Sequence, residues 1–315
     1  MTYGAELPGR IGPYTVEREL GSGGMGTVYQ ARSRGGRTVA VKVARPELAA
    51  DPHFRARFRA EVEAARKVGG FHTAQVVDAD PDADTPWLAT AYVAGPTLAS
   101  LIDRQGAMSE AQLRSLGAAL AEALGAIHGC GLIHRDLKPG NIIMAEDGPR
   151  VLDFGIARAV ESTRLTSTGA AFGTPGFLAP EQAQGLEVGP AADVFALGAV
   201  LVAAAGGSAF GAGTPMGLMY RSVHETPDLS AVPEGMRRFV ADCLAKDPAA
   251  RPTPERLLDL FAPQTSPQPR PPAHPPTVAV APARPVADGL HRLPTRPATG
   301  AAAGAAGAAG AAGAA

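Results

Sequence analysis

The feature that most constrains this chain is a strand, in place of a helix, immediately after its densest glycine run. Tyr14 to Leu20 alternates like a strand, and Gly21-Ser22-Gly23-Gly24-Met25-Gly26 comes next. Glycines 21, 23 and 26 make a G-x-G-x-x-G pattern, a weak signal by itself in a chain with 38 glycines. A dinucleotide-binding turn would require a helix there, with its N-terminus against the pyrophosphate. Here the chain continues as Thr27-Val28-Tyr29-Gln30-Ala31-Arg32 and runs into Gly35-Gly36. That reads as a second strand and a hairpin. A hairpin tip without side chains can lie over phosphates and donate backbone N–H groups to them.

The next strand is predicted over Thr38 to Val43. Alternation puts Ala40 and Lys42 on one face and Val39, Val41 and Val43 on the other. A lysine within an apolar strand is costly unless it is paired. After a glycine hairpin it reads as phosphate-facing; the competing reading is an edge-strand lysine whose head snorkels to water. A helix is predicted from about His53 to Val68, with Phe54, Phe58, Val62 and Ala65 forming one stripe. Glu61 lies beside that stripe, 19 residues after Lys42. A buried Lys42–Glu61 pair accounts for both charges. The alternative is an exposed Glu61 among the arginines of the same helix, although Glu63 suits that role better.

Composition adds one argument. Only four of the 29 basic residues are lysine, and Asn141 is the sole asparagine. Ala, Gly, Pro and Arg richness of this kind is typical of a GC-rich genome, so a retained Lys or Asn marks a place where chemistry holds it. Asn141 ends His134-Arg135-Asp136-Leu137-Lys138-Pro139-Gly140-Asn141. Before it, Ser109 to His128 is predicted as a helix with a Leu/Ile stripe and Ser109 as its cap. After it, strands are predicted at Ile142 to Met144 and Arg150 to Leu152, the second ending in Asp153-Phe154-Gly155. Thr85 to Val93 reads as a further strand, ended at Ala94-Gly95-Pro96.

A net charge of -1 argues against a nucleic-acid partner. Cys130 and Cys243 fit no zinc or disulfide framework and are compatible with a reducing compartment. The N-terminus lacks the pattern of a signal peptide. The longest apolar run, Val194 to Ala205, has 12 residues; a membrane span needs about 20. It reads as a buried core helix. From residue 263 the chain has 11 prolines in 53 residues and ends in an Ala-Ala-Gly repeat. That tail is expected to be a disordered spacer, with a Pro-rich ligand for a partner module as the alternative.

The glycine hairpin, Val39-Ala40-Val41-Lys42, the helix with Glu61, the His134–Asn141 stretch and Asp153-Phe154-Gly155 together resemble a eukaryotic-like (Hanks-type) protein kinase. The resemblance is greatest to bacterial serine/threonine kinases of actinobacterial type, whose catalytic domain often precedes a Pro-rich juxtamembrane linker. It covers about residues 10–262. It implies an α+β bilobal fold, with a small β-rich N-lobe and hinge over 10–93, a mainly helical C-lobe over 94–262, and the tail over 263–315.

The resemblance also implies roles. ATP is expected with Mg²⁺, for which Mn²⁺ can substitute. The nucleotide is expected against Leu20, Gly21, Ser22, Gly23, Gly24, Met25, Gly26, Thr27, Val28 and Ala40, with Thr90 as gatekeeper and Ala91, Tyr92 and Val93 as hinge. Lys42, oriented by Glu61, would hold the α- and β-phosphates. Asp153 and Asn141 would bind metal, Asp136 would take the acceptor hydroxyl's hydrogen bond, and Lys138 would neutralise the γ-phosphate. His134, Phe154, Gly155 and Asp193 are expected to be structural, as is a buried Glu181–Arg251 pair. Thr166 and Thr168 are the expected activation-loop phosphosites, with Arg135 as phosphate partner; the competing reading is a polar loop with no regulatory site.

By the same resemblance, Lys138 with Gly173-Thr174-Pro175 implies protein Ser/Thr acceptors, and a transient homodimer is expected for trans-autophosphorylation. The expected location is cytoplasmic, with a membrane-tethered form only if the natural chain continues past the tail. The chain departs from the family pattern at Gly70-Phe71-His72-Thr73, Ala91, Phe177 and Phe195. A non-catalytic scaffold on this fold is disfavoured because Lys42, Asp136, Asn141 and Asp153 are all present. A small-molecule kinase is disfavoured by Ala179-Pro180-Glu181 and the long loop before it.

Overall fold

The computed structural model describes residues 7–152 and 174–261. Asp153, Phe154, Gly155, Thr166, Thr168, Ala262 and the tail over 263–315 lie outside the described residues.

The small lobe begins with β1 (Arg10–Ile11), β2 (Tyr14–Gly23), β3 (Gly26–Arg32) and β4 (Thr38–Ala44). Helices α1 (Pro46–Ala49) and α2 (Pro52–Ala65) come next, then β5 (Val76–Asp80) and β6 (Trp87–Ala91). The strands pair antiparallel in one sheet of order β1-β2-β3-β4-β6-β5. Alternation along β4 sorts its side chains: Val39 and Val41 are buried with Ile11, Tyr14, Ala31, Trp87 and Ala89. Ala40 and Lys42 therefore face the other way, with Lys42 opposite Val28 on one side and Leu88 on the other. On the outer core, the Tyr14 hydroxyl donates to Asp78 at 3.1 Å. Burial, reinforced by that carboxylate, pushes the Tyr14 phenol up to about 12.

Helix α2 starts earlier than its apolar stripe suggests, because Asp51 accepts from the His53 N–H at 2.8 Å and Pro52 occupies the first turn. It also stops at Ala65 rather than Val68. There the chain tightens to i→i+3 bonds, Lys67 N–H to Ala64 O at 3.0 Å and Val68 N–H to Ala65 O at 3.1 Å, before Gly69-Gly70. Phe54, Phe58, Val62 and Ala65 are all buried. Each large side chain among them contributes about 1.5–3 kcal/mol of transfer free energy. Arg55 fixes the helix to the β5–β6 turn by donating to Ala83 O and Asp84 O, both at 2.8 Å.

The large lobe contains α3 (Leu98–Gln105), α4 (Glu110–Gly129), the hairpin of β7 (Ile142–Ala145) and β8 (Gly148–Val151), α5 (Pro180–Ala183), α6 (Ala191–Ala204), α7 (Pro215–His224), α8 (Glu234–Cys243) and α9 (Pro254–Phe261). Ser109 caps α4 in a reciprocal capping box with Gln112. Helix α6 is the axis of the lobe: of its 14 residues only Ala191 and Ala203 escape burial. It packs on α4 and α8, and α4 packs on α9. Cys243 sits in this core, where desolvation pushes its thiol up to about 12.

One apolar core runs from Phe54, Phe58 and Val62 of α2 through Leu120 and Leu124 of α4 to Leu197 of α6. Backbone bonds join the same regions: Val151 N–H to His72 O at 2.9 Å, and Met144 N–H to Pro96 O at 2.9 Å. These ties hold the β7–β8 hairpin under the small lobe. The architecture is the α+β bilobal fold that the motifs imply. Among the described residues no helix is long and apolar enough to cross a membrane.

Candidate active site

A cavity of about 540 Å³ lies between the sheet and the segment before β7. Its roof is the β2–β3 hairpin, where Gly23 pairs with Gly26 across a Gly24-Met25 turn. Two kinds of glycine occur there. A Cβ on Gly26 would stand 1.9 Å from Val43 O, so the fold itself demands glycine. A Cβ on Gly21 or Gly23 would meet nothing within 4 Å, so these two leave open space over the cavity. Arg45 steadies the tip, with its Nε donating to Gly23 O at 3.0 Å and its N–H to Met25 O at 3.1 Å.

Lys42 and Ala40 reach the cavity from β4. Thr90, Ala91, Tyr92 and Val93 line its back, and Leu20 and Val28 lie near its mouth and roof. The Ala91 N–H is already donated to Gln75 O at 2.9 Å. Thr27 stands apart from its neighbours. It is not among the lining residues, because it stands opposite Val43 in the register, one step from Val28, which stands opposite Lys42. The cavity also takes in Arg18, Gly95, Thr97, Gly140, Ile143 and Leu152, to which the motifs assign no binding role. Ile143 and Leu152 do leave a signal in the sequence, since a strand pair straight after the Asp136–Asn141 stretch must present alternate residues upward.

Asp136, Lys138 and Asn141 form the floor. The Lys138 Nζ is 3.0 Å from the Asp136 Oδ2. The Asn141 Nδ2 donates to Asp136 O at 2.8 Å and to its Oδ2 at 3.1 Å. The amide nitrogen is thereby used within the loop, and Oδ1 is the atom Asn141 has left for a ligand. A carboxamide oxygen beside carboxylates is a hard donor set that fits a divalent cation such as Mg²⁺. The second expected ligand, Asp153, is outside the described residues.

The loop is mounted from below. Asp193, in the first turn of α6 and 1% exposed, accepts from His134 N–H and Arg135 N–H, each at 2.8 Å. The His128 Nε2 meets the same carboxylate at 2.8 Å. His134 is fully buried; its Nδ1 accepts from the Asp136 N–H at 3.2 Å and its Nε2 donates to Leu152 O at 2.8 Å. Those contacts make it a spacer between the loop and the strand end. Arg135 has φ of 63°, a left-handed conformation rare outside glycine. Asp193 on one side and Gln182, donating to Arg135 O at 3.1 Å, on the other hold it there.

Glu61 makes a contact that residue spacing does not anticipate: its Oε1 lies 3.7 Å from the Arg135 Nη1. Helix α2 therefore reaches the Asp136 loop by charge as well as by apolar packing. The azimuth and depth of α2 bring the two side chains together, and neither is written in the local sequence. Glu181 and Arg251 form a buried two-pronged pair at 2.6 and 2.8 Å.

A protein kinase domain model matches residues 14–260. The chain is 51% identical over 268 residues to the probable serine/threonine-protein kinase PkwA of Thermomonospora curvata, covering 85% of this chain and 36% of that protein. It is 51% identical over 258 residues to the serine/threonine-protein kinase AfsK of Streptomyces coelicolor, covering 81% and 32%. The chain thus spans about a third of the length of these curated relatives. Among solved structures, the PknI kinase domain of Mycobacterium tuberculosis matches with a TM-score of 0.63 at 27% identity, over 83% of this chain and 98% of that one.

Proposed function

This chain belongs to the protein kinase family, and from that premise we propose that it is a serine/threonine kinase transferring the γ-phosphoryl group of Mg-ATP to protein hydroxyls. The observation that carries the reading is one cavity lined by the glycine hairpin, Lys42, Asp136, Lys138 and Asn141 together. We assign residues 10–262 to the catalytic domain, divided near residue 93, and residues 263–315 to a spacer.

The adenine is held between Leu20, Val28 and Ala40 above and Ile143 and Leu152 below, with the main chain of Tyr92 and Val93 at its edge. The phosphates pass under Gly21 and Gly23, where no Cβ obstructs their approach to backbone N–H groups. Lys42, oriented by Glu61, binds the α- and β-phosphates. Asn141 through Oδ1, together with Asp153, would hold Mg²⁺ or a substituting Mn²⁺, which when bound neutralises phosphate charge. Asp136 accepts the hydrogen bond of the acceptor hydroxyl and aims its oxygen. That oxygen bonds to the γ-phosphorus as the bond from phosphorus to the β–γ bridging oxygen breaks; the hydroxyl proton passes to Asp136 and the electron pair leaves with ADP. Lys138, already 3.0 Å from Asp136, offsets the charge on the moving group.

Thr166 and Thr168 are proposed as acceptors on the chain itself, modified in a transient homodimer, with Arg135 as the partner of the added phosphate. The use of ATP and the free thiols at Cys130 and Cys243 support a cytoplasmic setting. The near-neutral charge supports proteins, not nucleic acids, as substrates.

The test is incubation with labelled ATP and Mg²⁺ beside Lys42→Met and Asp136→Asn. Label should enter Ser/Thr of the wild type and fall by about 100-fold or more in both variants. Equal labelling of all three would sink the assignment.

A further inference from the structure

A second cavity, of about 470 Å³, adjoins the first. It is bounded by α3, the Lys138–Gly140 turn, Thr174 and Phe177, and the C-terminal end of α6. Lys138 and Gly140 line both cavities, so the second opens beside the group that would meet the transferred phosphoryl. Its surface is mostly apolar. Ala203 is one of two α6 residues that escape burial, and it does so on this side, with Gly206 and Gly207 just beyond it. The floor is therefore almost without side chains, while Ile102, Phe177 and Pro139 make walls.

Charge is sparse among the described lining residues. Asp103 is the one carboxylate and is exposed to solvent, where screening weakens its pull on a cation. Lys138 is occupied with Asp136 at 3.0 Å. A basic side chain entering this space would lose water without a buried partner, whereas an aliphatic one would lose only water.

We propose that this cavity is a subsite for the acceptor polypeptide, selecting a large aliphatic side chain (Leu, Ile or Met) close in sequence to the Ser or Thr that is phosphorylated. The proposal rests on the kinase reading above and adds the chemistry of the substrate to it. The occupant is set by position: the cavity is continuous with the acceptor end of the nucleotide site, and a peptide presenting a hydroxyl to Asp136 must run past it.

The test is a set of Thr-acceptor peptides in which each flanking position in turn carries Leu, Ile, Met, Ala, Arg or Glu. Wild-type protein should favour the aliphatic residues at one position by roughly tenfold in kcat/KM over Ala, Arg and Glu. Ala203→Glu should lose that preference and gain Arg, and Ala203→Leu, which fills the floor without adding charge, should shift it from Leu to Ala. Melting temperature and the KM for ATP, expected within about twofold of wild type, show that both variants fold and bind nucleotide. Peptides phosphorylated without regard to their flanking residues, or a preference unchanged in the folded variants, would overturn the subsite and leave the kinase reading intact. No transfer to any peptide or to the protein itself would bring down both.

Discussion

Arg251 has every one of its five N–H donors engaged. Nε donates to Ala245 O, Nη1 to Glu181 and Ala191 O, and Nη2 to Glu181 and Lys246 O. Its guanidinium also lies 5.0 Å from the Phe195 ring centre. Lysine has three donors on a point-like head and cannot reproduce that fork. Arg251→Lys keeps the charge but leaves some of the buried acceptors without a donor, and is therefore expected to cost about 1–3 kcal/mol. Urea unfolding of the apo protein measures it; a midpoint equal to wild type would mean that the guanidinium fork contributes nothing beyond its charge. Motif position alone names Glu181 and Arg251 as partners, 70 residues apart. It is silent about the three carbonyls, because a main-chain oxygen leaves no mark in the residue type.

Elements are most legible where a short period runs uninterrupted. The β4 alternation puts Lys42 and Val41 on opposite faces, and the structure keeps them so. The long Leu/Ile stripe and Ser109 mark α4 almost to the residue. Strands β1 and β5 leave no such mark, one having two residues and the other reading Val-Val-Asp-Ala-Asp, with no strong alternation. The hairpin shows a further limit, since its glycines look equivalent in sequence and are not. Gly26→Ala must push against Val43 O and break the β3–β4 ladder, so thermal stability and nucleotide affinity should both fall. Gly23→Ala meets open space, so its melting temperature should stay near wild type while the KM for ATP rises, by about tenfold. Paired melting curves and ATP titrations check this; equal melting temperatures for the two variants would refute the distinction.

At the scale of the whole molecule, Asp193 joins the axis of the large lobe to the chemistry. It is the first-turn acid of α6, and it holds the backbone of His134 and Arg135 and the ring of His128. Asp193→Asn removes one acceptor oxygen and turns an amide N–H toward groups that already donate. The Asp136 loop would then be misaimed, while the hairpin and hinge that bind nucleotide stay in place. A fall in kcat of about tenfold to 100-fold is expected, with a smaller change in the KM for ATP. Steady-state kinetics beside thermal unfolding tests it, and an unaltered kcat in a folded variant would remove Asp193 from the mount. The sequence by itself determined the chemical inventory and the local elements, because residue type and side-chain period are properties of neighbouring positions. Tertiary structure alone decided that Glu61 comes within reach of Arg135 and that Ala203 and Ile102 share a second cavity. Each of those depends on how deep and at what angle elements distant in the chain are packed, and core packing, not any single residue, sets that angle.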